Sequence, residues 1–345
     1  MTNHRRLAEL VRQMRPLTVS FDGKPSPELS EALEESGTQR VNSVSEAFRH
    51  AQSAVVVSAG LDGYQAAEEA IRRRLPVAIG NKEAFVAWGR YLKGPLAAAA
   101  GGCDIRPVDS EHAAASILIN EAGGADHVAE LIITGSGGAV RDILASERHH
   151  LQPSRVLHHP VWKMGSRITV DSATLVNKAL EVVEAAILFD IAPDKIQVMF
   201  DQDATVHAAV ITTDGRTSAL VSPASMEGPV RTALGLDPGA DTVILKGAAA
   251  AEAINRMRTP DAFERRAIGL GHLVLSAGGC MPMVLAAADE SAVARFLAGA
   301  LSFGDIVPFI EKTIESFARA ASMDPASYDD LTTLRRDLDK AMKLT

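Results

Sequence analysis

SAVVVSAG (53–60) and PVAIG (76–80) are short apolar runs that each end in glycine, and AAEEAIRRRL between them has helical spacing. A strand that is apolar at every position has both faces covered, and a helical crossover between two such strands leaves them parallel. This pairing restricts the chain to the α/β class. The rest of the sequence extends the pattern. RRLAELVRQM (5–14) is an amphipathic helix ended by Pro16, LTVSF (17–21) a strand, and SPELSEALEES a helix stopped by Gly37. AELIITGSGG (129–138) is a strand running into a glycine-rich loop. KIQVMF (195–200) and HAAVITTDGRTSALVS (207–222) read as strands, the latter two joined at an Asp-Gly turn. A strong helix is expected over 174–189, and the chain is helical after Pro260. At 345 residues it is too long for one small core.

The charge balance narrows the partners. A net charge of −8 disfavours nucleic acid or an anionic membrane as the main partner. The two cysteines, Cys103 and Cys280, form no CxxC pair, which suits a reducing cytoplasm and argues against a thiolate metal site. MTNHRRLAELVRQMRP has no apolar h-region, and no run approaches the roughly 18 apolar residues of a membrane span. A cytoplasmic protein is expected.

Two stretches carry the chemistry. In PVDSEH (107–112), Asp109 and Glu111 are two apart and, on an extended strand, point the same way. Such a pair suits a hard divalent ion, Mg²⁺ or Mn²⁺, or a solvated strand end. In TVDSATLVNKALEVVE (169–184), Asn177, Lys178 and Glu181 share one face of a helix whose apolar stripe includes Leu175, Val176, Ala179, Leu180 and Val183. Asp171 and Ser172 fall where N-caps belong, and a helix N-terminus beside Ser, Asn and Lys suits a phosphate. A capped helix with a surface Lys–Glu pair fits equally well. TGSGG (134–138) offers backbone N–H groups to an anion but lacks both GxGxxG and GK[ST] spacing. NKE (81–83) ends a strand, where ligands of α/β sheets bind.

Taken together and in order, AGL (59–61), NKE (81–83), VDSEH (108–112), TGSGG (134–138), HPVWKMG (159–165) and VDSATLVNKALEVVEA (170–185) resemble the 1-deoxy-D-xylulose 5-phosphate reductoisomerase family. AADESAVARFL (287–297) is similar to a C-terminal helix of that family. The resemblance runs from about residue 7 to the end. It implies that Asp109, Glu111 and Glu181 bind the metal and that Lys82 and His159 act in catalysis. It implies that Ser110, Ser136, Trp162, Ser172, Asn177 and Lys178 contact a phosphorylated substrate, with Trp162 and Met164 in a closing lid. It also implies a homodimer through the catalytic domain's sheet, a purpose the strands of 207–222 could serve.

The chain departs from the family in three places. No GxTGxxG turn precedes LTVSF, so only the nicotinamide side of an NADPH site is represented, by Ser58, Ala59, Gly60, Met164 and Met226. DQDA (201–204) replaces the family's HPQS and adds two negative charges, and Lys163 replaces a small lid residue. The expected architecture is a truncated Rossmann-like domain (1–108) and an α/β catalytic domain with a mixed sheet (109–236) and a lid (136–166). A linker (237–260) and a C-terminal helical domain (261–345) complete it. Helix 5–14 is expected to cover the sheet edge that truncation exposes. The leading functional expectation is metal-dependent retro-aldol/aldol rearrangement or isomerisation of a ketose phosphate without standard use of NADPH. The alternatives are an NADPH-dependent reductoisomerase and a non-catalytic phosphosugar-binding paralogue.

Overall fold

A computed structural model describes residues 3–58, 60–158 and 164–344. Ten strands, β1 (Thr18–Ser20), β2 (Gln39–Val41), β3 (Ala54–Val56), β4 (Val77–Ile79), β5 (Ile105–Pro107), β6 (Val128–Gly135), β7 (Ile196–Phe200), β8 (Val206–Thr212), β9 (Thr217–Val221) and β10 (Val243–Lys246), form three sheets. The apolar runs behave as expected: β3, β4 and β5 pair in parallel in that order, and β4 is buried on all three residues. β1 and β2 form a separate parallel pair. Helix α1 (His4–Met14) does not cover an edge. Its Ala8 and Val11 pack on Leu29 and Ala32 of α2 (Pro27–Ser36), while Leu17, Val55 and Val57 stay exposed.

The second sheet has the order β10-β9-β8-β6-β7, mixed, with only β6 and β7 parallel. β8 and β9 are interior strands, so the segment 207–222 offers no free edge to a second copy; the edges are β10 and β7. The expected linker also resolves into structure. Residues 237–260 hold β10, paired antiparallel with β9, and helix α8 (Ala248–Asn255), whose Ala250 packs against Ala219 and Ala209. The Pro, Gly and Asp of LGLDPGADT mark only the turn into that strand.

Six further helices position the site. They are α3 (Tyr64–Arg72), α4 (Lys82–Tyr91), α5 (Ser110–Ala122), α6 (Ser166–Thr174), α7 (Val176–Phe189) and, after α8, α9 (Ala262–Ala277). Helices α10 (Met281–Leu297), α11 (Ile306–Ser316) and α12 (Tyr328–Leu344) close the base. Helix α7 is buried almost all round. Val176, Ala179, Leu180 and Val183 join the core shared with α4 and α10, whereas Val182, Ala185 and Ala186 join the core beneath the mixed sheet. The polar residues of α7 are thereby confined to one seam between two apolar masses. Part of the expected lid is anchored as well: Ala139, Val140 and Val156 lie in the main core.

Candidate active site

The site is assembled where two strands hand over to helices. After β4, the Asn81 side chain caps α4 by accepting the Ala84 N–H at 2.9 Å. This fixes Lys82 at the first turn, 5% exposed, with its stem in the interior. After β5, the chain turns at Asp109 and enters α5 at Ser110. Asp109 and Glu111 therefore do not share a strand face. One sits at the helix cap and the other in the first turn, and the sharp strand-to-helix bend makes their carboxylates converge.

The helix expected over 174–189 is present as α7 (Val176–Phe189), but a second helix, α6, runs directly up to its start. Leu175 adopts left-handed φ/ψ of 65° and 8° and separates α6 from α7. Asp171 and Ser172 are consequently not N-caps. Ser172, in the last turn of α6, lines the cavity, and Asp171 is buried beside Arg167. The break presents Ser172 from one helix and Asn177, Lys178 and Glu181 from the next to the same cavity of about 290 Å³.

In that cavity Lys82 Nζ donates to Asn177 Oδ1 at 2.8 Å and Glu181 Oε1 at 3.0 Å, and pairs with Asp109. Lys178 Nζ donates to Glu181 Oε2 at 2.6 Å and pairs with Glu111. Oxygens of Asp109, Glu111 and Glu181 lie within 4.8 Å of one another. Burial disfavours the Asp109 anion, but Lys82 and His112 outweigh it and hold this carboxyl well below the usual range. Glu111 is pushed up, first by burial and then by the charge of Glu181. Burial also opposes charge on Lys82, yet Asp109 and Glu181 raise its ammonium well above the ordinary value. An all-oxygen set with this spacing suits a hard divalent cation.

Ser110, Ser136, Met164 and Met226 also line the cavity. Gly60 does not; its carbonyl accepts from Asn81 Nδ2 at 2.8 Å and so serves the turn that carries Lys82. His159 and Trp162 lie outside the described residues, as does Ala59. The DQDA segment does not charge the cavity as expected. Asp201 accepts from Thr205 N (2.8 Å), Thr205 Oγ1 (3.1 Å) and Val206 N (2.8 Å), closing the turn into β8, and neither it nor Asp203 lines the site.

Two groups escaped the sequence reading. His112 is fully buried; its Nε2 meets the Glu181 carbonyl at 3.0 Å and its Nδ1 faces Glu184 at 3.5 Å. Burial pushes Glu184 up to about 7, against the pull of His112. The Glu181–Glu184 spacing of three was the available signal. The second group is a buried charge cluster. Arg167 faces Asp289 (3.3 Å), Glu290 (3.1 Å), Glu83 (3.6 Å) and Asp171 (3.9 Å), joining α6, α4 and α10.

Comparison with known proteins agrees with this geometry. Models of the 1-deoxy-D-xylulose 5-phosphate reductoisomerase C-terminal domain and the DXP reductoisomerase C-terminal domain match residues 105–189 and 221–340. The chain is 36% identical over 293 residues to 1-deoxy-D-xylulose 5-phosphate reductoisomerase of Solibacter usitatus, covering 84% of this chain and 72% of that one. To the Thermotoga maritima protein of the same name it is 33% identical over 344 residues, covering 98% and 86%. The solved structure of the reductoisomerase from Zymomonas mobilis in complex with NADPH superposes with a TM-score of 0.81 at 27% identity, covering 99% of this chain and 89% of that one. Motif order, convergent carboxylates and whole-chain similarity coincide, and the chain belongs to the 1-deoxy-D-xylulose 5-phosphate reductoisomerase family.

Proposed function

We propose that this protein is a divalent-metal- and NADPH-dependent reductoisomerase acting on 1-deoxy-D-xylulose 5-phosphate. The observation that carries this reading is the convergence of Asp109, Glu111 and Glu181 on one cavity that also holds Lys82, Lys178, Ser136, Ser172 and Asn177. It replaces the expectation of a chain that has shed the hydride step. The Zymomonas mobilis relative is solved with NADPH, and Val57, Met164 and Met226 give the cavity here an apolar wall beside the carboxylates. A flat nicotinamide ring suits such a wall.

Asp109, Glu111 and Glu181 would hold Mg²⁺ or Mn²⁺, which when bound supplies Lewis acidity to a ketone and its neighbouring hydroxyl. NADPH, held with its nicotinamide beside Val57, Met164 and Met226, would supply hydride-transfer chemistry. The chain's own residues do the rest. Lys82, fixed by Asn177 and Glu181, presents an ammonium where negative charge develops on substrate oxygen. Ser136, Ser172, Asn177 and Lys178 orient the phosphate and so convert its binding into alignment of the reacting carbons. The roles implied for His159 and Trp162 belong to the same reading.

The test is one reaction in two tubes, with ¹³C-labelled substrate and Mn²⁺ in both and NADPH in one, followed by carbon NMR. Methylerythritol phosphate is expected only with NADPH. Equal carbon rearrangement in both tubes would restore the metal-only reading. Substrate binding without reaction in either would favour a phosphosugar-binding paralogue.

A further inference from the structure

Three carboxylates and two ammonium groups share the cavity, and each carboxylate already spends an oxygen on a lysine. These are the same carboxylates whose spacing suits a divalent ion. Cation and lysines therefore compete for one set of oxygens. The two lysines are not placed alike. Lys82 keeps a neutral partner in Asn177 Oδ1 at 2.8 Å, whereas the hydrogen bonds of Lys178 Nζ run to Glu111 and Glu181. Lys178 is only 5% exposed, so an ammonium displaced there needs another anion. Ser136, Ser172 and Asn177 line the wall around it.

We propose that Lys178 is an exchangeable counter-ion. It holds Glu111 and Glu181 together while the site lacks a cation, and turns to the anionic group of the substrate once a divalent ion takes those carboxylates. The proposal rests on reading the cavity as a cation-and-phosphate site. The swap reverses the local balance from one net negative charge to one net positive charge. Cation and phosphate then bind cooperatively, and each tightens the other by the same factor.

The wild-type protein supplies the first readout. Under limiting acetic anhydride, mass spectrometry should find Lys178 slow to acetylate, faster with Mg²⁺, and slow again with Mg²⁺ plus inorganic phosphate. Calorimetric titration with Mn²⁺ should show about tenfold tighter binding when inorganic phosphate is saturating. In Lys178→Met, Mn²⁺ should bind more tightly than in wild type without phosphate, and the linkage should fall below about twofold, within the range of uncoupled sites. Unchanged acetylation on adding Mg²⁺, or full linkage in Lys178→Met, overturns the exchange while leaving the metal site intact. Failure of wild type to bind Mn²⁺ any better than Glu181→Gln instead overturns the reading of the cavity itself.

Discussion

Asp289 and Asp171 sit side by side with no exposure to speak of, and one guanidinium, Arg167, serves both of them as well as Glu83 and Glu290. Burial first, and the charge of Glu83 after it, push Asp289 up to about 6, although Arg167 pulls the other way. Asp171 is raised well above its usual range for the same first reason, with Asp289 adding to it. A carboxyl whose folded pKa exceeds its unfolded value stabilises the fold most below the unfolded value. That contribution is lost as pH rises from the ordinary carboxylate value through about 6. Asp289→Asn should therefore raise stability more at pH 8 than at pH 5, by on the order of 1–3 kcal/mol at the higher pH. Thermal denaturation at the two pH values checks the sign. Lys82→Met should lower kcat by about 10²–10³-fold with a smaller change in KM, because the ammonium is aimed at charge that develops during reaction. Steady-state kinetics separates the two. None of the buried Arg167 cluster was legible in the sequence, since Arg, Asp and Glu at helical spacing read as solvated faces. Asn177, Lys178 and Glu181 stood out because polar residues inside an apolar stripe are unusual enough to demand a reason, whereas Lys82 stood out only by its place at the end of a strand.

At the level of elements, what the pattern of apolar runs could show was the existence of strands and helices; what it missed was where the chain bends. The helix expected from 174 is found from Val176, and nothing local to Leu175 announces the left-handed backbone that separates it from the preceding α6. Tertiary packing supports it, since Leu175 is buried in the core beneath the mixed sheet. The strand assumption at 107–112 failed for a related reason: two-residue spacing says nothing once the chain turns at Asp109. In the TGSGG loop the geometry gives the glycines a packing reason of its own. Gly138 has φ of 76°, and a Cβ there would overlap the Ser172 carbonyl; at Gly135 a Cβ would come within 2.7 Å of Lys178 Cε. The loop is thus pressed against both α6 and α7. Gly138→Ala should cost more than an ordinary helix-surface change, about 2 kcal/mol or more, because it combines overlap with an unfavourable φ. It should also weaken binding of inorganic phosphate in the presence of Mg²⁺, as measured by calorimetry.

For the whole molecule, the α/β class, the mixed sheet and the C-terminal helices follow from the apolar runs, whereas the supposed linker did not, because a short edge strand and an eight-residue helix carry little periodicity. Among the described residues, no helix is long and apolar enough to cross a membrane. We propose a homodimer in solution, and light scattering coupled to size exclusion is expected to return twice the chain mass. A monomer would remove the dimer implied by the family resemblance. Any strand pairing between copies through the mixed sheet would have to use β10 or β7, since β8 and β9 are already flanked. The main core has a further consequence. It is contiguous from Ala54 to Leu338, and α10, buried on most of its residues, packs against the helix that carries Lys82 while α12 packs on α10. A chain emerging from the ribosome therefore exposes the apolar faces of α4 and α7 until α9 and α10, far downstream, have been made. The catalytic pocket thus closes only once helices encoded well after its own residues have been made.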